Sequence, residues 1–118
     1  MTRAERDEER EERIKMEITV DAYTQDERAV GWKIYLEETM TFPFEAQCIK
    51  KREVSPLSSG ETVRVVGVPN ADPSLRQQFV TVEWKGSELG VPLGQLEPIE
   101  ASEDTNQAVA DWHYWLNR

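Results

Sequence analysis

The chain has one cysteine, one histidine and no long apolar run in its 118 residues. A lone Cys48 cannot form an internal disulfide, and together with the missing secretory signal peptide it points to a reducing cytoplasm. Thiolate and imidazole metal sites need several such ligands, so a zinc centre lacks its donors. A nucleophile–base pair has equally little to draw on, which argues against an enzyme. The glycines at 60, 67, 86, 90 and 94 suit turns and bulges, and none builds a phosphate-cradling loop. No apolar stretch approaches the roughly 20 residues that span a bilayer.

Basic residues are also missing where acids collect. Between Gly86 and Asn117 there are six acidic side chains and neither Lys nor Arg. The whole chain carries a net charge of −9. That balance argues against nucleic acid and anionic membranes as partners, since both need a basic surface. It suits cations, a basic protein partner, or solubility alone.

What is present describes a folded domain. The charged fraction of 31% is high, but four Trp, three Tyr and three Phe can bury a core. Residues 3–13, RAERDEEREER, have no apolar residue after Ala4 to hold them to a core. Residues 1–13 are therefore expected to be a charged tail or frayed helix, with a single domain over 14–118. Residues 14–23, IKMEITVDAY, satisfy two periods: alternation through Ile14, Met16, Ile18 and Val20, and helical spacing through Ile14, Ile18 and Ala22. Helix is favoured, narrowly.

Thr24 and Glu27 have capping-box spacing, which predicts a helix from about Gln25 to Met40, stopped by Pro43. Ala29, Trp32, Leu36 and Met40 form its core stripe. Gly31 costs roughly 1 kcal/mol there relative to Ala, and a close contact with another element would account for it. EAQCIKK, TVRVVGV, QFVTVEW and LGVPL then read as short strands separated by turns. A last helix is expected from about Asp104 to Leu116, capped by Ser102 or Asp104. The expected fold class is α+β: a small, strongly bent antiparallel sheet flanked by helices. Its predicted core includes Trp32, Leu36, Val63, Val65, Val80, Val82, Trp84, Val91, Leu93, Leu96 and Trp112.

Carboxylates remain as the chemistry-bearing groups. Asp72 and Glu83 stand at the first and twelfth positions of an EF-hand loop, but Arg76 and Gln77 occupy positions that need a ligand and a glycine. A calcium site must then be assembled from separate elements. One contribution is Glu37–Glu38 at the end of the second helix. Glu37 falls beside Val30 and Ile34, so partial burial is expected, relieved by Lys33 or by a cation. The other is Glu100, Glu103, Asp104 and Asp111 around the last helix. The macrodipole accounts for acids in a first turn, hence Glu103 and Asp104, but not for Asp111. Asp104 and Asp111, two turns apart, share a helix face. A solvated acidic surface is the competing account. Cys48, on the apolar alternation of a strand, reads as a buried small hydrophobe, and His113 as a boundary residue.

VDAY at 20–23, GW at 31–32, YLEE at 35–38, FPF at 42–44, SPL at 55–57, VPLGQLEPI at 91–99 and DWHYW at 111–115 together resemble the small acidic calcium-binding proteins of the CcbP type, first known from cyanobacteria. The resemblance spans roughly residues 12–116. It implies a cytoplasmic, non-enzymatic protein that binds Ca²⁺ reversibly through acidic side chains without an EF-hand, as a buffer or sensor. Glu38, within YLEE, is the position taken as a shared ligand. Separately, residues 60–96 resemble an SH3-like barrel. That supports an alternative: an acidic interaction module docking a basic partner.

Overall fold

The computed structural model describes residues 7–20 and 22–117. The first six residues of the expected tail lie outside them. Helix α1 (Glu8–Arg13) runs directly into a π-helical turn (Ile14–Ile18). Helix α2 spans Gln25–Thr39. Five strands follow: β1 (Phe44–Cys48), β2 (Thr62–Gly67), β3 (Phe79–Trp84), β4 (Ser87–Pro92) and β5 (Leu96–Ile99). A 3₁₀ turn at Leu93–Gln95 separates β4 from β5, and α3 (Glu103–Asn117) closes the chain.

The helices begin where their caps dictate. Thr24 Oγ1 accepts from the Glu27 amide at 3.1 Å. Glu27 returns the favour one residue further out, accepting from the Tyr23 amide at 2.9 Å. Ser102 Oγ accepts from the Thr105 amide at 3.1 Å, so Ser102, not Asp104, caps α3. The ambiguous segment resolves as helical over Ile14–Ile18, with Ile14 and Ile18 buried and Met16 exposed. Its partner is Gly31: a Cβ there would collide with the carbonyl oxygen of Ile18. The glycine lets the π-turn lie directly on α2.

The sheet is antiparallel, in the order β4-β3-β2-β1-β5. The β3–β4 hairpin turns at Lys85–Gly86, both with positive φ, the geometry that matches strand twist. The SH3-like closure is not formed. β4 pairs with β3 and β5 with β1, and the ladders end at those two edges, so the sheet stays open.

Alternation decides the core. Val63 and Val65 of β2, Val80 and Val82 of β3, and Phe44, Ala46 and Cys48 of β1 face inward. Trp32 and Trp112 meet edge-on beneath the helices, with centroids 5.0 Å apart. Of the eleven predicted core residues only Trp84 is not fully buried. Its indole Nε1 donates to Glu61 Oε2 at 3.0 Å, which keeps that end of the ring at the surface. Among the described residues no helix is long and apolar enough to cross a membrane.

Candidate metal centre

The candidate carboxylates sit on two helix ends and the segment between them. Glu37 and Glu38 occupy the last turn of α2 and are exposed. That turn carries no basic residue to offset the carbonyl end of the helix dipole. The expected partial burial of Glu37 is not found, because the flank it shares with Val30 and Ile34 faces solvent. Glu100 precedes α3 with a φ of 52°. Glu103 and Asp104 form the first turn of α3, where the amide end of the helix favours them. All three are exposed.

One buried hydroxyl joins these ends. The Thr41 amide, just past α2, donates to Thr105 Oγ1 at 2.9 Å. The Ser102 hydroxyl donates to the same oxygen at 2.9 Å. Thr105 follows Asp104 directly and is fully buried. The bond ties the segment just past the C-terminal end of α2 to the N-terminal end of α3. Beside the joint lies an open cleft of about 350 Å³, lined by Thr41, Glu45, Arg64, Glu100 and Ser102 among others.

Glu45 is a residue that sequence reasoning passed over. Its signal was present: in FEAQC the inward positions are Phe44, Ala46 and Cys48, so Glu45 must face out. Its strand partners set its neighbours. Pairing with Ile99 on β5 places it next to Glu100, and pairing with Arg64 on β2 gives it a cation across the ladder. Arg64 also reaches Glu83, at 3.6 Å.

Asp111 stands apart from the other candidates. It is fully buried, and its carboxylate is engaged on both oxygens. Arg13 Nη2 lies 2.6 Å from Oδ1 and Arg13 Nε donates to Oδ2 at 3.2 Å. Arg10 Nε stands 2.8 Å from Oδ1. The Tyr35 hydroxyl donates to Oδ2 at 2.7 Å. The cation that the last third of the sequence lacked is supplied by α1, which is held to the body by charge where apolar residues are missing. Hydrogen bonding with Asp111 raises the Arg13 pKa further. Burial first, and the bond to Asp111 second, push Tyr35 up to about 12. Asp104, on the same face of α3, remains in solvent. The face passes from open water at Asp104 to cover beneath α1 at Asp111.

The possible metal donors lining the cleft are all oxygen, the carboxylates of Glu45 and Glu100 and the hydroxyls of Thr41 and Ser102, with the Arg64 side chain beside them. Hard cations take such ligands, Ca²⁺ with six to eight of them in irregular geometry. Among the described residues, no three carboxylate, imidazole or thiol groups converge closely enough to hold a metal as they stand. The sulfur and nitrogen candidates are occupied elsewhere. Cys48 is buried in β1 against Gln95, and His113 Nε2 lies 2.7 Å from the Leu96 carbonyl oxygen, which requires a proton on that nitrogen.

Comparison with known proteins agrees with this chemistry. The crystal structure of CcbP from Anabaena superposes with a TM-score of 0.86 at 41% identity, covering 100% of this chain and 97% of that one. A structure described as a calcium-binding protein in the calcium-binding form superposes with a TM-score of 0.81 at 40% identity, covering 94% and 91%. No curated protein matches. The model of the CcbP family, described as calcium binding, matches residues 12–116, nearly the whole chain, and the chain belongs to that family.

Proposed function

We propose that this protein binds Ca²⁺ reversibly, as a cytoplasmic buffer or sensor, with residues 14–118 acting as one calcium-binding domain. Glu37, Glu38, Glu100, Glu103 and Asp104 supply ligands or close outer charge, and Asp111 holds α1 and α3 in place behind them. The observation that supports the reading is the Thr41–Thr105 bond, which ties the acid-bearing end of α2 to the acid-bearing start of α3. Family membership points to the ion. The exposed side chains close on the cation when it arrives, and the neighbouring acids cease to repel one another. An EF-hand is not the means. Glu83, the residue at its twelfth position, lies in β3 rather than at the head of a helix. No bond-making step is included.

The test is calorimetric titration of metal-free protein with Ca²⁺ in excess Mg²⁺. Saturable heat at low stoichiometry supports the reading. Weak heat that salt abolishes leaves a merely acidic surface and removes it.

A further inference from the structure

The outer face of α2 carries apolar side chains where a helix usually presents polar ones. Here Val30 and Ile34, one turn apart, are 47% and 50% exposed. Both are β-branched and so are also mediocre helix formers. With Val20, likewise exposed, they line an open groove of about 410 Å³ over Ile18 and Gly31. Asp26 and Glu27 stand on the same groove, one turn before Val30. Glu37 and Glu38 lie one turn after Ile34, on exposed positions. The arrangement is acid, apolar pair, acid along about three turns of one face. Its basic neighbours are turned aside. Lys33 Nζ donates to the Ala71 carbonyl at 3.3 Å, and Arg28, two residues from Val30, projects roughly 160° away around the helix.

We propose that this face docks a short basic amphipathic segment of another protein. Two of its apolar side chains enter the groove between Val20, Val30 and Ile34, and a Lys or Arg one turn beyond each meets Asp26–Glu27 and Glu37–Glu38. Charge complementarity selects the occupant. A second copy of this chain brings the same carboxylates and a net charge of −9, so the faces repel. Anionic lipid and nucleic acid are repelled for the same reason. The groove accommodates two or three side chains, which suits a linear segment and not the flat face of a folded domain. The surface shares Glu37 and Glu38 with the proposed ligand set, whereas Val20, Asp26, Glu27, Val30 and Ile34 lie outside it, so the test is made on metal-free protein and its variants leave the proposed ligands untouched.

The test uses the full chain, kept metal-free by a chelator at physiological ionic strength. The probe is a synthetic helical peptide with two leucines at i and i+4 and a pair of lysines one turn outside each, followed by fluorescence anisotropy. Saturable one-to-one binding is expected. Replacing Val30 and Ile34 together by Ser should weaken it about tenfold or more, because the lost apolar contact lies on the bound face. Asp26→Asn with Glu27→Gln should weaken it about threefold to tenfold while keeping the cap. Both variants should retain the wild-type circular dichroism, since all four side chains are exposed. A peptide of equal charge but scrambled order that binds as well as the designed one overturns the proposal. So does unchanged affinity in the Val30/Ile34 variant, or concentration-dependent dimerisation that the same variant abolishes.

Discussion

Arg13 and Asp111 are 98 residues apart in the chain, and their charged atoms are 2.6 Å apart in the fold. Asp111 is wholly buried, while the two arginines that reach it keep part of their surface in water. That asymmetry decides which partner is costly to lose. Removing Arg13 strips a buried carboxylate of its best donor. Removing the carboxylate leaves arginines that can turn to solvent.

Arg13→Ala is therefore expected to destabilise the fold by about 3 kcal/mol, the low end for breaking a buried pair, since Arg10 and Tyr35 still reach Asp111. Asp111→Asn should cost less than Arg13→Ala. Added salt should do little to wild-type stability through this contact, because buried pairs are weakly screened. Urea unfolding of the two variants at low and high salt checks all three statements. An Arg13→Ala loss below about 1 kcal/mol would place the pair among ordinary surface bridges.

Tyr35 sets a pH window. Its folded-state pKa is raised from 10.0 to about 12, by burial first and then by its bond to Asp111. A raised folded pKa means a contribution fully present below pH 10 and lost as pH climbs towards 12. Stability should fall through that interval, and Tyr35→Phe should flatten this part of the profile. Phenolate absorbance in the native protein should likewise lose a component that titrates well above pH 10 in the variant. A native Tyr35 that ionises together with an unfolded tyrosine would contradict the burial.

These contacts also mark the limit of what the sequence discloses. The strands and the core were legible because TVRVVGV and QFVTVEW alternate, and alternation is a local property that burial obeys. Glu38, Glu100 and Asp104 were legible as uncompensated acids. The fate of Asp111 was not, because its compensation comes from Arg10 and Arg13 at the other end of the chain, and an ion pair leaves no period. The spacing of Asp104 and Asp111 correctly put them on one face of α3. It could not show that α1 covers one end of that face. The expected burial of Glu37 failed for a related reason: Val30 and Ile34 made its flank look inward, whereas they are exposed apolar residues. The antiparallel sheet flanked by helices was legible, but its resemblance to an SH3-like barrel could not be decided, because strand signals do not say whether the last edge finds the first.

Gly31 separates a local argument from a tertiary one. Helix propensity alone says Gly31→Ala should stabilise α2 by up to about 1 kcal/mol. The carbonyl oxygen of Ile18 occupies the place its Cβ would take, and that oxygen is backbone. The substitution is expected to destabilise by about 1–3 kcal/mol, as overpacking does, by pushing the π-turn off α2. Thermal unfolding gives the sign directly. A rise in melting temperature would show that the turn yields at little cost.

The last prediction concerns the acids themselves. A site assembled from α2, the segment around Glu100 and α3 has no rigid octahedral frame, so it should favour Ca²⁺ over Mg²⁺, which demands tight geometry and keeps its waters. An ion that binds the folded form alone stabilises it by roughly 2.7 kcal/mol at a hundred times its dissociation constant. Melting temperature should therefore rise more with Ca²⁺ than with Mg²⁺ at matched ionic strength. Glu38→Gln and Asp104→Asn should each shrink that rise. Both side chains are exposed, so the metal-free fold should survive: Glu38→Gln removes an acid from the carbonyl end of α2 and should gain roughly 0.3–1 kcal/mol, whereas Asp104→Asn should lose a similar amount at the amide end of α3. Asp111→Asn makes the informative control. It should lower stability with or without Ca²⁺, because Asp111 is held by Arg10, Arg13 and Tyr35. If Asp111→Asn abolishes the calcium-dependent shift while Glu38→Gln and Asp104→Asn leave it whole, the ion is held on the buried side of α3, and the site at the Thr41–Thr105 joint is wrong.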